Sequence, residues 1–404
     1  MQQFRRAWLI LASLTALLPL QIASAQTQIS EPEVSSYIFG EQITFRAQAN
    51  IDTAIQQAQL IFQLPDISEA RKIPAEVTPV NDGSSQLQAT YKLAGQNLTA
   101  FSTLEYYFEL VDSRGEKYSS PLAQFDYLDN RFEWQTLPGD PFQIHWYNGN
   151  GVAAKSVQQV AQSGMEHIQE LIELVVPKQV EIYIYPDTTS LQEVLAHTGH
   201  TWTAGRAAPE KSVILTALPP GPDQQVLIEQ RVPHELMHVS LYLTLGEDYF
   251  RLPVWLSEGL ASAAELYPNP DYPLLVKTAY EQAGLPAMTA LCPAFPDEAS
   301  AALMAYAQST SFARFILSHY GKAGMQSLVQ AYASGRDCEN GPVSALGISL
   351  SALEQQWRDE TFGEQLPTQT QTDDFVPWLI LLVVTMAVPL LVGLIILLRR
   401  PSTQ

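Results

Sequence analysis

Cysteine and basic residues are scarce in this chain of 404 residues. The two cysteines, Cys292 and Cys338, form no C-x-x-C pair, which argues against a zinc site built from thiolates. Lysine and arginine together number 22 against 42 acidic residues, so the formal net charge is −20. This balance disfavours binding to nucleic acid or to an anionic membrane surface. We interpret the acidity as that of a solvated surface, the alternative being a preference for basic substrates.

The first residues have the pattern of a secretory signal peptide. Arg5 and Arg6 precede the apolar run 7–20, and a small-x-small cleavage site follows at 23–25. This pattern predicts that residues 1–25 are removed from the mature protein. The alternative is an uncleaved N-terminal anchor, although the apolar run is short for a membrane span.

A longer apolar run lies near the other end of the chain. Residues 375–398 carry no charge over 24 positions, enough to cross a bilayer core of roughly 30 Å, and Arg399 and Arg400 follow directly. Basic residues at this end are typical of the cytoplasmic side. We therefore expect a single transmembrane helix at 375–398, a flexible linker at 363–374 and a cytoplasmic tail at 399–404. A removed lipid-anchor signal is the alternative, and the basic tail argues against it.

These two segments predict a single-pass protein of the cell membrane with its N-terminal ectodomain outside. Cys292 and Cys338 then lie in an oxidising compartment, so we expect one disulfide between them. The alternative is two separate buried thiols. The sequence leaves the oligomeric state open.

The ectodomain is expected to contain two domains, since about 350 residues exceed one typical core. Residues 26–130 consist of short apolar or alternating stretches, which predict an immunoglobulin-like or fibronectin-like β-sandwich. Its predicted strands are 43–47, 59–64, 86–93, 104–111 and 118–125. Residues 131–362 are expected to form an α+β, mainly helical domain. Its predicted strands are 142–147, 180–185 and 212–215, and its predicted helices are 156–175, 299–318 and 351–361.

The segment H-E-L-M-H at 234–238 has the pattern of a metal site. His234 and His238 are one helical turn apart, so both imidazoles lie on one face and can bind one ion. Glu235 points around the helix and can act as general base toward the attacking water. Pro233 lacks an N–H, which predicts that the helix begins or is kinked there.

Glu258 is the candidate third ligand. It follows His238 after 19 intervening residues and lies in W-L-S-E-G-L-A, which is typical of a helix start. The combination of HELMH with WLSEGLA resembles the gluzincin zinc metallopeptidases. More narrowly, the chain is similar to the peptidase MA-like domains of secreted or membrane-anchored bacterial proteins, over residues 131–360. The G-x-M-E-N segment of the zinc aminopeptidases is missing, so an aminopeptidase assignment is not supported.

The resemblance implies one zinc ion per chain, bound by His234, His238 and Glu258, with Glu235 as the base. In many gluzincins an acidic residue one turn beyond the glutamate ligand orients a histidine. That position is Ser262 here. Either the outer shell, meaning the hydrogen-bond partners around the ligands, is weaker in this chain, or Glu265 takes the place of that acidic residue.

The resemblance also implies two features of substrate binding. Tyr306, in a helix expected to pack over the site, is the candidate donor to the oxyanion of the tetrahedral intermediate. Residues 204–218 are expected to contain an edge strand that binds an extended peptide. His197 and His200 precede that strand, and we interpret them as surface or structural residues because three ligands are already supplied.

The function predicted from the sequence is that of a membrane-anchored, extracytoplasmic zinc metallopeptidase acting on protein or peptide substrates. The first alternative is a catalytically inactive surface protein that binds a partner or serves as a scaffold. The second is a zinc amidase that acts on another substrate of the cell envelope.

Overall fold

The computed structural model describes residues 28–63, 70–80, 83–93, 98, 100–196 and 205–363. The predicted signal peptide, transmembrane helix and cytoplasmic tail lie outside the described residues, as do the linker after Gly363 and both His197 and His200. Within the described ranges, no helix has the length and apolar character needed to cross a membrane.

The N-terminal region is built from strands, as predicted. The strands are β1 (Glu33–Ile38), β2 (Gln42–Asn50), β3 (Ile55–Gln63), β4 (Arg71–Pro74), β5 (Glu76–Pro79), β6 (Ser84–Lys92), β7 (Ser102–Asp112), β8 (Lys117–Ser119) and β9 (Ala123–Tyr127). They form two antiparallel sheets with the orders β1-β2-β6-β5 and β4-β3-β7-β8, and β9 also pairs with β7.

The two N-terminal sheets share an aromatic core. The ring of Phe45 on β2 lies 6.4 Å from that of Phe62 on β3 and 4.7 Å from that of Tyr106 on β7. All three side chains are buried, and such burial contributes roughly 1.5–3 kcal/mol per large apolar side chain. The single strand predicted at 118–125 is wrong, because β8 and β9 are separate strands. Pro121 stands between them and cannot donate to a ladder.

The C-terminal region combines a sheet with eight helices among the described residues. Its strands are β10 (Gln135–Leu137), β11 (Phe142–Trp146), β12 (Val180–Tyr185), β13 (Gly205–Ala208) and β14 (Val213–Ala217). Its helices are α1 (Val152–Leu171), α2 (Thr188–Ala196), α3 (Gln224–Leu245), α4 (Val254–Ala263), α5 (Tyr272–Glu281), α6 (Ala299–Ala333), α7 (Asn340–Leu346) and α8 (Leu350–Phe362). The region is therefore mainly helical, as predicted.

The sheet of the C-terminal region has the order β10-β11-β12-β14-β13. The three central strands are parallel, and the edge strands β10 and β13 are antiparallel to their neighbours. Side chains alternate between the two faces. Ile182 and Ile184 lie in the core formed with the helices, whereas Tyr183 and Tyr185 lie in the core shared with the N-terminal sheets. The ring of Phe101 lies 4.4 Å from that of Tyr183, tilted by 49°, so the two regions are joined by apolar contacts.

Two helices differ by several residues from their predicted bounds, whereas α8 differs by one residue at each end. Helix α1 begins and ends four residues earlier than the predicted helix 156–175. Helix α6 continues to Ala333, with a non-helical backbone at Gly321 (φ 64°, ψ −173°) that divides it into two parts. Cys292 and Cys338 form a disulfide that links the segment before α6 to the segment after it.

Candidate metal centre

Helix α3 carries three of the predicted site residues. His234 and His238 lie one turn apart with their ring centroids 5.2 Å from each other, and Glu235 lies on the adjoining face. The helix begins at Gln224, nine residues before Pro233, so the prediction that it begins at the proline is wrong. All three residues are therefore held on a single long helix.

Pro233 leaves one backbone carbonyl of α3 without its usual hydrogen bond within the helix. Because proline has no N–H, the carbonyl of Glu229 receives no hydrogen bond from position 233. The Leu266 N–H donates to that carbonyl instead, at 3.0 Å. This hydrogen bond holds the segment after α4 against α3. Glu265 lies in that segment, directly before Leu266.

Helix α4 brings Glu258 to the two histidines. A Cβ atom on the neighbouring Gly259 would lie only 2.6 Å from the carbonyl oxygen of Ser309 on α6. Glycine at this position therefore allows α4 and α6 to approach closely. Gly259 of the W-L-S-E-G segment thus helps to place Glu258, because it lets α4 pack closely against α6.

The three predicted ligands meet at one point. His234, His238 and Glu258 each offer a ligand atom within 4.8 Å of the other two. The Glu258 Oε2 atom lies 3.3 Å from Nε2 of His234 and 3.6 Å from Nε2 of His238. Although burial alone would raise the pKa of the Glu258 carboxyl, the two histidines hold it well below its usual range. The carboxylate is therefore ionised, as a metal ligand must be.

The outer nitrogen of each histidine also has a partner. Glu265 Oε1 lies 3.3 Å from Nδ1 of His234, and the Tyr249 hydroxyl lies 3.0 Å from Nδ1 of His238. When Nδ1 carries the proton and donates to these oxygens, Nε2 keeps its lone pair for a metal ion. Of the two alternatives for the outer shell, the structure therefore has Glu265 in contact with His234.

The donor set fits zinc. Two imidazole nitrogens and one carboxylate oxygen, with room for a fourth ligand, are typical of hydrolytic zinc sites. Both histidines present Nε2 inward and are held through Nδ1, which is the arrangement expected around a bound metal ion. Ser262, by contrast, is buried, and among the described residues its hydroxyl has no hydrogen-bond partner, so it holds neither histidine.

Glu235 lies beside this ligand set without belonging to it. Its side chain is buried, and burial raises the pKa of its carboxyl, while the charges of His234 and His238 lower it. The backbone amide of Ala207 on strand β13 also lowers it. A Cβ atom on Gly205 would lie 2.7 Å from Glu235 Oε1, so β13 runs directly against the carboxylate.

Tyr306 of α6 completes the surroundings of the site. Its ring lies 6.3 Å from that of His234, and burial and the charges of Glu258 and Glu235 raise the pKa of its hydroxyl. A cavity of about 220 Å³ opens between Tyr306, His234 and Glu235. The hydroxyl stays protonated there and is able to donate a hydrogen bond.

A family model described as the peptidase MA superfamily matches residues 160–363, half of the chain. The chain belongs to the peptidase MA superfamily. This match confirms the predicted resemblance to a gluzincin-like peptidase domain. The matched range contains the three candidate ligands as well as Glu235 and Tyr306.

Several solved structures are similar to this superfamily member. A two-domain M1 zinc metallopeptidase bound to L-arginine is 11% identical, with a TM-score of 0.40 over 81% of this chain and 92% of that one. The M1 zinc metallopeptidase of Deinococcus radiodurans is 12% identical, with a TM-score of 0.37 over 84% and 94% of the two chains. A structure described as a myokine is 16% identical, with a TM-score of 0.17. The match covers 24% of this chain and 97% of the myokine chain. No curated protein matches the chain.

The sequence did not reveal two residues of the site. Tyr249 lies in a short 3₁₀ turn, Gly246–Arg251, and reaches His238 only through the turn of the chain after α3. Helix α3 ends at Leu245, before Tyr249, so helical periodicity does not predict this contact. Arg231, which lines the cavity, was recognisable in principle because it stands four residues before Glu235 on the same helix face.

Replacing Glu265 by glutamine should weaken zinc binding by about 10-fold to 100-fold, since outer partners of histidine ligands typically contribute this much. The neutral amide still fits beside Nδ1 of His234. It fixes the orientation of the ring less firmly, however, and it lacks the negative charge of the carboxylate. Zinc affinity is measured by competition with a chromophoric chelator. Glu281→Gln, on the exposed surface of α5, is the matched control, and equal affinities of the Glu265 variant and the parent chain would contradict the prediction.

Proposed function

We propose that this protein is a zinc metallopeptidase that hydrolyses peptide bonds. One observation carries the proposal. The buried Glu235 carboxylate lies beside a two-histidine, one-glutamate ligand set whose histidines are both held through Nδ1. A metal-binding scaffold would need the ligands, but it would have no need of a buried carboxylate next to them.

His234, His238 and Glu258 would hold the zinc ion. When bound there, zinc supplies Lewis acidity, which lowers the pKa of water toward neutrality and polarises a carbonyl oxygen.

Glu235 provides the proton transfer. A base works best when its pKa lies near the working pH, and burial moves the pKa of Glu235 upward in that direction. The carboxylate accepts a proton from the attacking water and then, as an acid, passes it to the leaving amine. Tyr306, with its proton retained, donates to the carbonyl oxygen as negative charge develops there.

Strand β13 is the proposed binding edge for the peptide backbone. Among the described residues it is the last strand of the sheet, with β14 on its other side. Apart from the Ala207 amide, which hydrogen-bonds the Glu235 carboxylate, the backbone groups on its outer side can pair with an extended chain. Gly205 and Ala207 of this strand adjoin Glu235. A peptide added here would pass directly in front of the base.

We further propose that the protein acts outside the cytoplasm and is tethered to the cell membrane. The support is the pattern of the sequence, namely a signal peptide at 1–25 and a 24-residue apolar span at 375–398 followed by two arginines. Fractionation of cells, with protease accessibility of the intact cell surface, tests this placement.

Purified full-length protein should contain about one zinc ion per chain and cleave members of a broad peptide library. Treatment with a chelator should abolish the cleavage, and added zinc should restore it, because the ion supplies the Lewis acid. Zinc is measured by elemental analysis and cleavage by mass spectrometry. Zinc without cleavage of peptides would favour an amidase of another envelope substrate, and neither zinc nor cleavage would favour an inactive scaffold.

A further inference from the structure

Arg231 places a positive charge next to the proposed catalytic base. It lies on α3 one turn before Glu235, so the two side chains share a helix face. Both line the cavity of about 220 Å³ that also borders His234 and Tyr306. The wall of this cavity therefore carries a cation, although the chain as a whole has a net charge of −20.

The partners of Arg231 leave part of its guanidinium free for another group. It donates to the backbone carbonyl of Ala217 at the end of β14. In the part of the chain that the structure describes, no carboxylate forms an ion pair with it, and Glu235 is the acidic group whose charge acts on it. A guanidinium has five N–H donors in a planar fork and stays charged at physiological pH.

We propose that Arg231 binds a carboxylate of the substrate in this cavity, so that the peptide bond cleaved lies next to a residue carrying a negative charge. The inference rests on the proposed function and names the class of substrate for it. The carboxylate is supplied either by the side chain of aspartate or glutamate or by the free C-terminus of the peptide.

Three arguments favour a carboxylate over a neutral group. The planar fork of arginine matches the two oxygens of a carboxylate. A partly buried charge without an ion pair is costly, and a bound anion offsets that cost. The amides of Gln230 and Asn269 also line the cavity and can donate to the same anion.

The acidic surface does not oppose this selectivity at short range. Charges separated by more than about 8–10 Å are largely screened at physiological ionic strength, whereas the cavity brings the anion into contact with Arg231. The net charge therefore slows the approach of anionic peptides, and Arg231 determines which of them stay bound.

The test measures binding without turnover, in the zinc-loaded full-length Glu235→Gln variant. Three labelled peptides are compared by fluorescence anisotropy. The first peptide has an internal glutamate and an amidated C-terminus, so its carboxylate is on a side chain. The second ends in glutamine with a free C-terminal carboxylate. The third has an internal glutamine and an amidated C-terminus, and it is the neutral reference. At least one anionic peptide should bind about 10-fold to 100-fold more tightly than the neutral one, as expected for a charge-assisted hydrogen-bonded pair.

Arg231→Gln in the same background should remove this preference while leaving the affinity for the neutral peptide nearly unchanged. Because losing the contact with Ala217 could unfold that variant, Arg231→Lys is measured beside it. Lysine keeps the charge without the planar fork, so the preference should fall but persist. Arg336→Gln, at an exposed arginine, is the matched control and should keep the full preference.

The pattern of binding identifies the source of the carboxylate. Tighter binding of the first peptide indicates an acidic side chain, and tighter binding of the second indicates the C-terminus. Equal binding of all three peptides, or a preference that survives unchanged in both Arg231 variants, would overturn the inference. If the parent chain holds zinc and cleaves peptides but shows no preference in kcat/KM among the three, the inference fails and the proposed function stands.

Discussion

Replacing Glu258 by alanine should remove zinc from the protein and, with it, all cleavage of peptides. Glu258 is the one ligand that α4 supplies, and its Oε2 atom lies 3.3 Å and 3.6 Å from the two inward histidine nitrogens. Its loss leaves two imidazoles, one ligand short of a hydrolytic zinc site. We expect zinc affinity to fall by more than the roughly 100-fold that the loss of an outer partner can cause. Elemental analysis after dialysis gives the zinc content.

The matched control for this prediction is Glu281→Ala. It makes the same chemical change on the exposed face of α5, where Glu281 lies 3.9 Å from Lys277. That variant should hold as much zinc as the parent chain and cleave the same peptides. If the Glu258 variant also retained one zinc ion through dialysis, a different residue would have to be the third ligand.

The ligand set was accessible from the sequence because its spacing is set by local geometry. His234 and His238 share a face wherever their segment is helical, since positions four apart stack on any α-helix. Glu258 required more than periodicity, because a glutamate separated from His238 by 19 intervening residues has no fixed direction relative to the first helix. Its prediction came from the family resemblance of the W-L-S-E-G segment, and Gly259 shows the packing reason for that segment.

The outer partners depend on tertiary packing, which a sequence pattern does not encode. Tyr249 reaches His238 because the chain turns back through Gly246–Arg251 after α3. Glu265 could be named only as one of two alternatives to fill the outer shell. The choice depends on how the segment after α4 returns to α3, and that path is fixed in part by the hydrogen bond from Leu266 to the Glu229 carbonyl.

Pro233 shows how a correct local rule can give a wrong boundary. Proline in a helix interior costs about 3 kcal/mol, so the sequence predicted a helix start or a kink at this point. The structure has one helix running through it, and the Glu229 carbonyl freed by the proline accepts a hydrogen bond from Leu266. The tertiary hydrogen bond offsets part of the local cost.

Replacing Glu235 by glutamine should lower turnover by about 100-fold to 10,000-fold, the range that a positioned general base contributes. Zinc content should stay at the parent value, because the carboxylate lies outside the ligand set. The amide has nearly the same shape but cannot accept the proton of the attacking water. The kcat for one cleaved peptide, measured beside the zinc content of the same sample, tests both halves of the prediction.

The variant should also be at least as stable as the parent chain at neutral pH. Burial raises the pKa of Glu235, so the folded state disfavours the ionised carboxylate and loses stability as the pH rises through that pKa. A neutral amide escapes this cost, and thermal melting measures the difference. Glu229→Gln on the same helix, where the side chain accepts a hydrogen bond from Gln225, should leave turnover unchanged. Loss of zinc together with turnover in the Glu235 variant would instead assign the carboxylate to metal binding and leave the chain without an identified base.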